Sequence, residues 1–288
     1  METSDTSKTL GEYKLLGDSS CDLTAQQKLE LNYSESIPFV VQLGGEAIID
    51  EPPIDIPSFL AKMKACTGKM GSACASPERW KEAFIRAGGG FAVTLSSKLS
   101  GMHQSALIGL EMAKEEIAGL IGHVFDSKSA VCGEVLLAMK IREFSNETNH
   151  LATLVERVNR FTDNMKTLFV LDDISNLVKN GRMSKIKGTI VTALGIKPLL
   201  AANDGEIELH GTVRNKNKIT AKLVEAIGRC GRTINGDTLV IAHCRNLPLA
   251  EELAEYANRT YKFGKTFIQD TGVLSSFYAS HKGIIVSF

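Results

Sequence analysis

Residues 91–122 constrain the fold more than any other stretch. Phe91-Ala92-Val93-Thr94-Leu95 is short and apolar enough for a buried strand, and Ser96-Ser97-Lys98-Leu99-Ser100-Gly101 follows as a small, hydroxyl-rich loop. Beyond it, Ala106, Leu110, Ala113, Ile117 and Leu120 recur every three or four residues, with Glu111, Lys114 and Glu115 between them. That period marks one buried face of a helix. A strand feeding such a loop at a helix N-terminus aims free backbone N–H groups and serine hydroxyls at one spot, which suits a carboxylate or a phosphate. Open parallel sheets hold ligands at these carboxyl ends. Helix capping by Ser96, Ser97 and Ser100 accounts for the same residues equally well.

Elsewhere short apolar strands alternate with amphipathic helices, the pattern of an α/β protein. Strands are predicted over 13–17, 39–43, 167–171, 239–243 and 283–288. Asn203-Asp204-Gly205 turns a hairpin between 198–201 and 207–213. Thr24 caps a helix, Pro57 and Pro77 open two more, and Ser184 reads as a further cap before the apolar segment 188–196. Residues 68–77 and the run from Ser275 to His281 read as loops. Asp18-Ser19-Ser20 and Asp126-Ser127-Lys128 repeat the junction of strand and hydroxyl loop, so parallel strands would gather three such loops at one sheet edge. Thr162-Asp163-Asn164 is the expected boundary. It leaves a disordered tail over 1–12, an N-terminal α/β domain over 13–164 and a C-terminal α/β domain over 165–288, with a cleft between the two.

Lysine plus arginine and aspartate plus glutamate number 33 each, so no charge excess points to nucleic acid. The six cysteines form no C-x-x-C pair, which argues against a zinc site or a disulfide framework and for a reducing, cytoplasmic setting. No apolar run reaches membrane-spanning length, and residues 1–9 are polar. Walker, GxGxxG, H-E-x-x-H and G-x-S-x-G motifs are absent. One S-x-x-K match, Ser184 and Lys187, is better explained by the helix cap. Cys74 has no sequence-visible base beside it. Elimination therefore favours binding over catalysis.

Several stretches together resemble the DegV family. Asp18-Ser19-Ser20-Cys21-Asp22-Leu23 is similar to its D-S-x-x-D-L opening, and residues 96–106 are similar to S-S-x-L-S-G-T-x-Q-S-A. Leu171-Asp172-Asp173 with Asn180-Gly181-Arg182-Met183-Ser184-Lys185 parallels L-D-D-L and G-G-R-I-S-K, and Gly195-Ile196-Lys197-Pro198 parallels N-I-K-P. The resemblance implies two α/β domains, the first with a mainly parallel sheet and the second, smaller, with a mixed one. Between them would lie one long-chain fatty acid. It also implies no catalytic residues and no cofactor, only a bound acid handed to a separate ATP-dependent fatty acid kinase for acyl-phosphate formation and phospholipid synthesis, with transient membrane contact. Carried over by position, Ser72 and Ser97, with Ser96 beside it, would hold the carboxylate. Arg182 and Arg214 correspond to family arginines. Two departures stand out. Ser72-Ala73-Cys74-Ala75-Ser76 replaces T-S-Q-P-S, and the C-terminal H-T-G-P-G is absent, so Phe277 or Tyr278 takes the histidine position, with His281 as the nearest substitute. An enzyme acting on a small phosphorylated or carboxylated metabolite at the same hydroxyl edge is the alternative.

Overall fold

The computed structural model describes residues 10–183, 196–231 and 233–288. Ser184, Lys187 and the apolar segment up to residue 195 lie outside them. The chain enters through a 3-10 turn, Leu10–Glu12, whose Leu10 is buried. The expected tail is therefore ordered from Leu10 onward. The cause is remote: the buried Arg142 guanidinium donates to the carbonyls of Gly11, Tyr13 and Leu31.

The first half runs β1 (Leu15–Asp18), α1 (Ala25–Glu30), β2 (Tyr33–Ile37), β3 (Val40–Leu43), β4 (Glu46–Ile49), α2 (Ile56–Ala65) and β5 (Met70–Ala73). It continues through α3 (Pro77–Ala87), β6 (Gly90–Thr94), α4 (Met102–Glu116), β7 (Gly122–Asp126), α5 (Cys132–Glu147) and α6 (Leu151–Asn164). Strands β2-β1-β6-β7 form a wholly parallel sheet. Strands β4-β3-β5 form a small antiparallel one. Thr24 caps α1 as expected, its hydroxyl accepting the Gln27 N–H while the Gln27 side chain accepts the Thr24 N–H. Ala106, Leu110 and Ala113 are buried on α4, but the helix stops at Glu116 and leaves Ile117 exposed.

Strands β2 and β5 escaped the sequence reading. Tyr33-Ser34-Glu35-Ser36-Ile37 and Met70-Gly71-Ser72-Ala73 are polar or small, and only their pairing with β1 and β3 makes them strands. That pairing puts Ser72 on a rigid ladder opposite Val41.

The second half adds β8 (Thr167–Val170), α7 (Ser175–Lys179), β9 (Lys197–Asn203), β10 (Glu206–Val213), α8 (Ile219–Gly228), β11 (Thr238–His243), α9 (Leu247–Thr260), β12 (Lys265–Asp270), α10 (Val273–Ala279) and β13 (Ile284–Ser287). Its sheet, β10-β9-β8-β13-β11-β12, is mixed.

The halves share a core. Helix α5 packs against β6 on one side and β11 and β13 on the other. One buried cluster joins Phe91 and Phe125 of the first sheet to Phe169, Val240 and Ile285 of the second. Each such side chain contributes about 1.5–3 kcal/mol by burial, so the spacing of the sheets is fixed by the core itself. Helix α10 crosses over: Val273, Leu274 and Phe277 are buried with Phe39 and Phe59 of the first half. This segment was expected to be a loop. It is helical because the distant Asp50 carboxylate accepts the N–H groups of Val273 and Leu274 at 2.9 and 3.2 Å. Among the described residues no helix is long and apolar enough to cross a membrane.

Candidate functional site

The three hydroxyl loops meet at the carboxyl edge of the parallel sheet. The Leu95 N–H donates to Asp18 Oδ2 at 2.7 Å, and the Ser96 N–H to the Ser129 carbonyl at 2.9 Å. The Ser97 N–H donates to Asp126 Oδ1 at 3.1 Å. Val131, at the start of α5, is held at φ +51°, strained for a β-branched residue, with its N–H donating to Glu134 at 3.0 Å.

Between this edge and the second sheet lies a cavity of about 840 Å³, its mouth included. Leu95 and Leu99 line it from the first half, and Phe169, Leu171, Ile207 and Ile285 from the second. Ser72, Ser100, Arg182 and Tyr278 also reach it. Ser72 Oγ and the Tyr278 hydroxyl lie 2.8 Å apart. Half-buried Arg182 is aimed by Nε donating to the Leu99 carbonyl at 3.2 Å and by a further bond to the Asn180 carbonyl. Ser100 Oγ accepts the Met102 N–H at 3.1 Å, which leaves its own hydrogen available. A guanidinium and three hydroxyls on an apolar space suit a carboxylate attached to a long apolar body.

The other residues named from the sequence lie elsewhere. Ser96 is buried and does not line the cavity. Its Oγ donates to the Gly205 carbonyl at 2.7 Å and accepts the Lys98 N–H, so it ties the β6 loop to the β9–β10 hairpin. Ser97, expected to hold the carboxylate, is exposed and absent from the cavity wall, because the turn stabilised by Ser96 swings it outward. Ser100, three residues on in the same loop, takes the wall position. Arg214 is exposed beyond the end of β10. The Gly205 turn at the other end of that strand borders the cavity, and eight extended residues between them span roughly 27 Å. His281 is exposed in the turn after α10 and does not reach the wall, whereas Tyr278, one helical turn earlier, does. Among the described residues no three His, Cys, Asp or Glu side chains gather as a metal site.

Behind the wall sits a set of buried carboxyls that the sequence did not disclose. Ser20 Oγ lies 2.6 Å from Asp18 Oδ1 and 2.6 Å from Glu134 Oε1. A hydroxyl has one hydrogen, so one of these carboxyls brings a proton of its own. Both Asp18 oxygens already accept backbone N–H groups, while Glu134 Oε2 has no partner, which puts the proton on Glu134. Burial pushes the pKa of both groups up, Glu134 well above the usual carboxylate range with the Asp18 charge adding to the effect. Asp22 and Asp50 are raised as well, chiefly by burial.

Fold and cavity together define a class of two-domain α/β proteins built around an apolar interdomain space with polar groups at its rim. The chain belongs to the DegV family, which it matches over residues 12–286. A DegV domain-containing protein of Streptococcus pyogenes serotype M3 is 30% identical over 279 residues, covering 96% of this chain and 99% of the relative. Two solved structures are similar throughout. The DegV family protein of Ruminococcus gnavus, with vaccenic acid, has a TM-score of 0.89 at 30% identity, covering 96% of this chain and 99% of its own. The Streptococcus pneumoniae fatty acid kinase B3 protein, loaded with linoleic acid, has a TM-score of 0.87 at 30% identity, covering 96% and 98%.

Proposed function

We propose that this protein binds one long-chain fatty acid in the cavity between its halves and presents the carboxylate to a separate ATP-dependent fatty acid kinase in the cytoplasm, adding no catalytic residue itself. The observation that carries this reading is an apolar cavity whose wall also carries Ser72, Ser100, Arg182 and Tyr278. The fatty acids in the R. gnavus and S. pneumoniae structures support it. A chain of about sixteen carbons gains roughly 0.8 kcal/mol per buried methylene, on the order of 10 kcal/mol before binding costs are subtracted. The head group needs partners only to offset its desolvation, and hydroxyls with a guanidinium do that.

Mass spectrometry of what the purified protein releases on denaturation tests the binding step. A stoichiometric long-chain acid is expected; a phosphorylated metabolite in its place would favour an enzyme instead. The presentation step is tested by adding a fatty acid kinase and ATP to the loaded protein. Acyl phosphate forms only with both proteins present if the reading holds.

A further inference from the structure

Resting on the cavity as an acyl site, we infer that Ser20 and Ser275 form a second polar station on its wall, one that recognises a hydroxyl group carried on the acyl chain. Ser275, on α10, lines the cavity and is 5% exposed, yet its Oγ has no hydrogen-bond partner. The Asp22 carboxyl is within reach of the Ser275 hydroxyl, which acts on it as a weak hydrogen-bond donor, but neither Ser275 Oγ nor Asp22 Oδ2 makes a bond of full hydrogen-bonding geometry. An orphaned hydroxyl on a binding wall is a cost that a ligand oxygen can remove. Other hydroxyls of this wall show the contrast: Ser129 and Thr167 satisfy each other at 2.7 Å.

Ser20 lines the same cavity from the turn Ser19–Cys21, which packs directly against α10. Asp50 clamps the two elements together, accepting from Ser19 Oγ at 2.7 Å and from the Val273 N–H at 2.9 Å. The single hydrogen of Ser20 is held within the Asp18–Glu134 pair, so toward the cavity Ser20 offers only a lone pair. Ser275 can donate or accept. This pairing selects among oxygen groups. An alcohol donates to Ser20 and accepts from Ser275. A ketone meets only Ser275. A carboxylate has no hydrogen to give Ser20 and faces the Asp18 carboxylate behind it, so it is disfavoured. The walls between, Leu95, Val131 and Leu274, suit the methylenes on either side.

The test measures dissociation constants of the delipidated full chain for stearate, for a set of hydroxystearates with the hydroxyl moved stepwise along the chain, and for the matching ketostearates. At one position or two adjacent ones the hydroxy acid should bind about tenfold tighter than stearate and tighter than its ketone. In Ser275→Ala that ratio should fall to about twofold or less. Stearate binding with every hydroxystearate equal to or weaker than it overturns the station, and this arm needs no variant. A ketone equal to its alcohol overturns the role given to Ser20. If stearate itself does not bind, the acyl-site reading has failed, and the station with it.

Discussion

Ser72 Oγ on β5 and the Tyr278 hydroxyl on α10 meet at 2.8 Å although 206 residues separate them in sequence. The contact joins the small antiparallel sheet of the first half to the helix that the second half sends across. It therefore places one hydrogen bond between the halves on the cavity wall. Tyr278→Phe should keep the ring packed beside Phe277, a T-shaped pair at 4.8 Å, while removing the hydroxyl. Fatty acid affinity is expected to fall by about threefold to tenfold, the value of one hydrogen bond, read by displacement of a fluorescent fatty acid. Ser72→Ala should give a loss of similar size. The double variant should lose less than the sum, because the two groups act as one unit.

The two arginines carried over by position should part company. Arg182→Ala removes a cation at the rim and should weaken binding of oleate more than binding of the neutral alcohol of the same chain. Arg214→Ala, at the far end of β10, should leave both within about twofold. Isothermal titration with the acid and the alcohol decides this. Equal effects from the two variants would count against the rim assignment.

Ser96 and Ser97 are adjacent, but one is structural and the other is solvated. Ser96→Ala should unpair the Gly205 carbonyl and lower stability by about 1–2 kcal/mol in urea unfolding. Ser97→Ala should change stability by no more than about 0.5 kcal/mol, as for other exposed sites.

The Asp18–Glu134 pair sets a pH dependence. The folded state holds a proton on Glu134 above the ordinary carboxyl value of 4.5, where the unfolded chain has released it. Its contribution is thus complete below that value and is lost as pH rises through the raised folded-state pKa of the pair. Urea unfolding from about pH 5 to about pH 8 should show this group's share of stability declining. Glu134→Gln mimics the neutral acid, its amide oxygen accepting the Val131 N–H as Oε1 does. It should flatten that slope. A variant with the wild-type slope would assign the titration to other groups.

What could be read in advance was local. The parallel sheet, the α4 register from Ala106 to Ala113, the Thr24 cap and the hairpin at Asn203-Asp204-Gly205 each follow from periodicity or turn chemistry within a few residues. Gathering of the hydroxyl loops at one edge followed from strand direction alone. The division of labour inside the loop of residues 96–101 did not. Capping, tying and lining use the same serines, and which hydroxyl does which depends on a carbonyl arriving from Gly205, over a hundred residues away.

By itself the sequence determined two α/β layers, a hydroxyl-rich edge and the residues from which a site had to be drawn, because strand and helix periods are written in neighbouring side chains. Only the tertiary structure decided that Ser100 and Tyr278 take the wall, that Ser97, Arg214 and His281 face water, and that the Asp18 and Glu134 carboxyls are buried behind Ser20. Those outcomes depend on which distant groups satisfy a hydrogen bond or exclude solvent, and such partners are chosen by packing.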